Sequence, residues 1–222
     1  MTSRGPEKRV RKAPAERRSE MVTAAARVGL AEGLECVTLR RVADELGVRP
    51  GLVGHYFPAA DRLVAEAFTS ATLAELDGLL PELPAGPDSD SGPGPDSGPG
   101  AAVHALRRLF SLTSSADFDD VSRLWLNARH LARYRPVLRE HVVEQDLLWC
   151  RRIERVVATG VAAGDFRCAD PWASAVRIHV AIDGTSAYVN TGVGHRAAPI
   201  ADMARTLAEA ELGLASGALG PR

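Results

Sequence analysis

Between Thr38 and Phe57 the chain reads Thr-Leu-Arg-Arg-Val-Ala-Asp-Glu-Leu-Gly-Val-Arg-Pro-Gly-Leu-Val-Gly-His-Tyr-Phe. Arg40, Arg41 and Arg49 carry guanidinium forks, His55 an imidazole, and Thr38 and Tyr56 hydroxyls. A guanidinium can give two parallel hydrogen bonds to guanine O6 and N7, and any of these groups can bond a phosphate oxygen. Pro50, Gly51 and Leu52 stand between Arg49 and His55, where a glycine would let backbone come close to a groove. Arg62, just beyond, is a further candidate for a phosphate. Each residue also has a plainer reading: a solvated charge on a helix face, a capping hydroxyl, or a glycine at a helix start.

A second set lies later. Trp125, Asn127, His130, Trp149, His179, Asp183 and Tyr188 combine aromatic faces and polar tips on otherwise apolar segments. Such residues can line a pocket between helices, and Trp and Tyr faces attract quaternary ammonium groups. Taken singly, each is as readily a core aromatic or a histidine paired with its neighbour. Cys150 is read as an inert buried thiol, with oxidant sensing as the sharper alternative.

Helices must position both sets. Pro14 starts a first helix with Met21, Ala24, Ala25, Val28 and Leu30 at helical spacing, closed by Gly33. Thr38 can cap a second, whose inner stripe is Leu39, Val42, Ala43 and Leu46, with Gly47 as the turn. Pro50 suits the first turn of a short third helix ending at Phe57, with Val53 and Phe57 inward. A fourth runs from about Ala60 to Leu80. Further helices are expected over 101–116, 119–133, 135–163, 170–192 and 198–216. No alternating strand pattern of useful length occurs, so the fold is expected to be all-α.

Residues 84–100 are a Pro/Gly/Ser stretch without a hydrophobic anchor, expected to be a disordered linker. The expected organisation is a basic flexible arm over 1–14, a helix-turn-helix domain over 15–62, and a ligand-binding and dimerisation domain over 63–222. Charge divides accordingly. Through Arg62 there are 12 Lys and Arg against 8 Asp and Glu, and beyond it 15 against 20. A basic first third on an acidic body suits contact with a polyanion. Arg4, Lys8, Arg9, Arg11 and Lys12 suit a minor groove or nonspecific attraction.

Three widely spaced cysteines offer no disulfide framework or zinc spacing. No apolar run approaches the roughly 20 residues of a membrane span, and no secretory pattern follows the basic start. A cytoplasmic location is expected. No Gly-rich phosphate loop, metal-ligand cluster or serine elbow is present, so no cofactor, metal or catalytic role is expected. His179 and Asp183, one turn apart, would be the acid–base pair of an enzyme.

The stretch from about Arg17 to Phe68 resembles the N-terminal domain of the TetR family of transcription regulators. The matching residues are Gly33, Val37-Thr38-Leu39, Val42-Ala43-Asp44-Glu45-Leu46-Gly47-Val48, Gly51, Tyr56-Phe57 and Asp61-Arg62-Leu63. The run from Gly164 to Pro171, followed by Ala181-Ile-Asp-Gly184, is similar to the BetI-like branch. Arg49 stands where the family commonly has a capping Ser or Thr, Gly54 where it has Tyr, and Ala60 where it has Lys, while Pro58 is also unusual. The Tyr and Lys positions typically serve phosphate contact. Arg49, Arg62 or the arm would have to replace that charge. The resemblance implies that Arg40 can reach a base and that the last two helices, rich in small residues, pair across a homodimer. The expected function is a dimeric repressor released from a palindromic operator on double-stranded DNA by a small-molecule effector. The alternative is a DNA-binding regulator or architectural protein that answers to a partner rather than a ligand.

Overall fold

The computed structural model describes residues 13–82, 100–192, 197 and 199–220. The basic arm through Lys12 and the Pro/Gly/Ser stretch, apart from Gly100, lie outside them. Among the described residues every regular element is a helix. These are α1 (Pro14–Glu32), α2 (Leu39–Leu46), α3 (Pro50–Tyr56), α4 (Ala60–Leu79), α5 (Ala101–Thr113), α6 (Asp119–Ala132), α7 (Pro136–Ala163), α8 (Pro171–Val189) and α9 (Met203–Glu211).

Their ends follow from local chemistry. Proline begins α1, α3, α7 and α8, where its missing N–H is not needed. The Thr38 hydroxyl accepts from Arg41 N at 3.1 Å and caps α2. Gly47 then turns the chain at φ +61°, a left-handed conformation that favours glycine. Asp170 caps α8 by accepting from Ala173 N at 3.0 Å.

Helices α1 to α3 close a small core around Met21, Ala25, Leu34, Val42, Val53 and Phe57, all nearly or fully buried. Helix α4 packs against both α1 and α7. Its first half buries Leu63, Val64 and Phe68, and its second half turns Thr72 and Leu76 inward. Burying a side chain such as Phe68 contributes about 2–3 kcal/mol. The 28-residue α7 is the spine of the second unit. Gln145 on it accepts from the Thr72 hydroxyl at 3.1 Å, and Arg152 donates to Leu80 O at 2.7 Å, closing the end of α4.

The last helix is shorter than the expected 198–216. After Glu211 the chain folds back in turns, and the buried Glu209 carboxylate accepts from Gly217 N and Leu219 N, each at 2.9 Å. Those backbone donors hold residues 212–220 against the bundle in place of further helix. Among the described residues no helix is long and apolar enough to cross a membrane.

Candidate functional site

The first candidate surface is built on α2 and α3. Val42, Ala43, Val53 and Phe57 are buried in the core where α2 and α3 pack on each other and α2 on α1, leaving Arg40, Arg49, Pro50, Gly51, Leu52 and His55 exposed. Among the described residues Arg40 and Arg49 have no ion-pair partner. Tyr56 is half-buried, with the His55 ring edge-on to it at 5.5 Å. A Cβ added at Gly51 would meet nothing within 4 Å, so packing inside the chain does not require glycine there. The same holds at Gly54, where a Cβ would sit 3.8 Å from Leu39, an ordinary contact.

Arg41 is differently placed from the expectation that it faces DNA. Its guanidinium is held by Glu32 at 2.5 Å and Glu45 at 2.9 Å, bonds that raise its pKa and hold Glu32 low. It ties α2 to the end of α1. Arg62 is exposed but rests on Glu66 at 3.2 Å, a carboxylate that also receives Arg18 at 2.5 Å.

The second site lies where α4, α6, α7 and α8 meet. Trp125, buried on α6, donates its indole N–H to Glu75 Oε2 at 2.9 Å and stands edge-on to Phe68 and to His179, at 4.9 and 6.4 Å between ring centres. The His179 ring lies parallel to Trp149 at 5.8 Å. Arg129 covers Trp125, grips both oxygens of Asp146 at 2.8 Å, and bonds Asp183. Glu75, Trp125, Trp149, His179 and Asp183 share the wall of a chamber of about 20 Å³, room for little more than one water molecule.

The chamber's polar atoms are incompletely matched. Glu75 Oε1, Trp149 Nε1 and His179 Nδ1 are sealed from solvent without a hydrogen-bond partner among the described residues. A buried donor or acceptor left unmade costs roughly 1–3 kcal/mol. Burial pushes the Glu75 carboxyl up to about 8, aided by the Asp183 charge and resisted by the Trp125 bond. Burial also raises Asp183. It works against Asp146, but there His179 and Arg129 outweigh it and the carboxyl stays below its ordinary range. Cys150, under the same burial and near both aspartates, is pushed up to about 11 and is held as a thiol at neutral pH.

Asp146, His179 and Asp183 bring ligand atoms within 4.8 Å of one another, as a metal site would. The Arg129 guanidinium already supplies a cation to both carboxylates, and the group is accounted for as an ion-pair network. His179 Nε2 lies 3.9 Å from Asp183 Oδ2, so the acid–base pair is part of that network.

Three expected pocket residues stand elsewhere. Asn127 accepts from Leu34 N at 2.8 Å and donates to Glu35 at 2.7 Å, which makes it a clamp between α6 and the end of α1. His130 is exposed and packs beside Tyr134. Tyr188 is 57% exposed on the outer side of α8. Helical geometry accounts for all three. At about 100° per residue, Asn127 lies some 200° and His130 some 140° round from Trp125, and Tyr188 about 180° from His179. Glu75, Arg129 and Asp146 were missed. A signal existed for two: Glu75 interrupts the stripe Ala71, Glu75, Leu79, and Arg129 is one turn from Trp125.

A wider groove opens on the other side of Glu75 and Phe118, which it shares with the chamber. It measures about 430 Å³ and lies between α1, α4, α5 and the start of α6.

A helix-turn-helix that leaves Arg40 and Arg49 exposed, joined to a helical bundle with a polar centre, is the arrangement of a DNA-binding regulator. Residues 100–213, half of the chain, match the family of the BetI-type transcriptional repressor C-terminal domain. The chain belongs to the TetR family of transcriptional regulators. Solved structures with the same fold include a TetR-family regulator from Rhodococcus sp., 22% identical over 88% of this chain and 96% of that one, with TM-score 0.66. A regulator from Saccharomonospora viridis in complex with choline is 24% identical over 87% and 94%, with TM-score 0.65. A TetR regulator from Haloarcula marismortui is 20% identical over 89% and 99%, with TM-score 0.67. No curated protein matches the sequence.

Proposed function

We propose that this regulator is a homodimeric repressor that occupies a palindromic operator and is released by a small molecule bound among the helices beside the Glu75–Trp125–Trp149–His179–Asp183 centre. The observation that carries the ligand reading is that three of the residues lining one chamber each bury a polar atom that no described residue matches. Native interiors leave few such groups unmatched, and a ligand with both donor and acceptor character would satisfy them. The choline seen with the Saccharomonospora regulator supports a small-molecule reading of this fold.

The dimer rests on α8. Val180 and Tyr188 are exposed by more than half, and a Cβ added at Gly184 between them would meet nothing. Spaced by four, the three share one face. Met203 on α9 is also 52% exposed. Two copies related by a two-fold axis would present two α3 helices to major grooves about 34 Å apart. Arg40, Arg49, Gly51 and His55 would face base edges and phosphates, with Thr38 and Tyr56 on the phosphates.

Release follows from shared parts. Glu75 sits on α4, which joins the domains, and Trp125 sits two residues from Asn127, which holds the start of the α1–α2 connection. A ligand that binds better when α4 and α6 are displaced shifts the spacing of the two α3 helices. The test is binding of the purified protein to DNA fragments from around its own gene at several salt concentrations. A shift that prefers one fragment and weakens with salt supports the reading; equal affinity for random DNA at every salt concentration sinks it.

A further inference from the structure

We infer that Glu66 is a positioning residue for DNA binding: its carboxylate holds Arg18 and Arg62 as a paired clamp for a backbone phosphate beside the C-terminal end of α3. This rests on the reading of α2 and α3 as the DNA-binding face.

Arg18 lies near the start of α1 and Arg62 in the first turn of α4, two helices that pack on each other. Glu66 Oε1 accepts from Arg18 Nη2 at 2.5 Å and from Arg62 Nε at 3.2 Å. One carboxylate between two guanidiniums leaves the group a net positive charge. The bonds also decide which nitrogens are left over. Arg62 gives Glu66 only its Nε, so both Nη nitrogens are without a partner among the described residues, on a side chain 72% exposed. Arg18 is 41% exposed and the Glu66 side chain 17%, so the anion lies deeper than the cations it orients. Neighbouring carboxylates are otherwise engaged: Glu20 with Arg17 at 2.7 Å, and Asp61 with Arg135 at 3.9 Å.

Phe57 fixes where the pair stands. The Arg18 guanidinium lies over its ring at 4.7 Å, and Phe57 is the buried residue that closes α3, three residues before α4 begins. The clamp therefore adjoins the end of α3 that carries His55 and Tyr56, opposite the end that carries Arg49. A phosphate oxygen accepts charge-assisted bonds from both forks. Two loose arginines would each lose rotamer freedom on meeting it, whereas two already held lose less. The carboxylate also repels phosphate, but that repulsion acts at an exposed surface and is screened by salt. Positioning outweighs it.

The experiment is titration of the full chain against a fluorescently labelled random-sequence DNA duplex at several salt concentrations. Arg18→Ala/Arg62→Ala should weaken binding tenfold or more and make it less steeply salt-dependent, as lost phosphate contacts do. Glu66→Ala should weaken binding threefold or more in the parent protein, although it removes a negative charge. In the Arg18→Ala/Arg62→Ala background the same change should strengthen binding, because only the repulsion of the carboxylate is left there. Glu66→Gln, which keeps the side-chain length and an acceptor oxygen, should show the same two signs at smaller size, and thermal melting shows that each variant folds. Stronger or unaltered binding on Glu66→Ala in the parent would leave the carboxylate a repulsive charge and overturn the inference. Equal weakening in both backgrounds would make its role merely structural and overturn it too. A parent protein with no salt-dependent affinity for duplex DNA would contradict the DNA-binding reading itself, and the clamp with it.

Discussion

Arg40 and Arg41 adjoin in sequence and differ in what holds them. Arg41 is bracketed by Glu32 and Glu45, whereas Arg40 faces outward and, among the described residues, has no ion-pair partner. Arg40→Ala is expected to cost about 1–3 kcal/mol of operator affinity and to relax preference at one base pair, measured on a panel of single-base operator variants. Two glutamates make opposite statements about pH. Burial raises Glu75 to about 8, so the folded state holds a proton that the unfolded state releases above about 4.5. That contribution to stability is complete below 4.5 and is lost as pH rises toward 8, at up to about 1.4 kcal/mol per pH unit. Glu209 is held low: burial opposes its charge, but Gly217 N, Leu219 N and Arg205 outweigh it. Its contribution is present above its ordinary value and lost as pH falls through the lowered one. Denaturant melts from pH 4.5 to 8 should show a downward slope from Glu75 that Glu75→Gln flattens. An unchanged slope in the variant would contradict a buried, protonated Glu75.

At the scale of elements, glycines separate backbone demands from surface ones. Gly47 holds φ +61° at the α2–α3 turn, and Gly47→Ala should destabilise by about 1–2 kcal/mol. Gly51 lies inside α3 with open space around it. Gly51→Ala should raise stability by about 0.5–1 kcal/mol while weakening operator binding, since the added methyl would hold the backbone off the groove. Thermal melts and DNA titrations on the same preparations check both, and a Gly51→Ala protein with full operator affinity would show that α3 does not approach DNA there. Asn127 tests the link between domains. Asn127→Ala removes two hydrogen bonds to Leu34 and Glu35, each worth about 1 kcal/mol net. The effector should then change operator affinity less than in the parent protein, while its own binding site is left in place.

For the whole molecule, the decisive quantity is the state of association. The exposed Val180, Gly184 and Tyr188 face predicts that Val180→Glu shifts the protein from dimer to monomer in light scattering. Operator affinity should fall with it, because one α3 helix would then bind a half-site alone. A monomeric parent protein would contradict the two-fold reading outright. The helices and the helix-turn-helix were legible in the chain itself, because periodicity, Pro14, Thr38, Gly47 and Pro50 act within a few residues of where they stand. The α9 limit was not, because residues 212–220 are held by the Glu209 carboxylate rather than by their own pattern. The same division runs through the candidate sites. The exposed face of α2 and α3 follows from a local stripe. The chamber joins Glu75, Trp125, Trp149, His179 and Asp183 from four helices, and only packing sets the rotation of each. That rotation places Trp125 inside and Asn127 against α1. It also leaves Glu75, an acid in an apolar stripe, sealed with one oxygen unmatched, because its partner groups are fixed by helices distant in sequence.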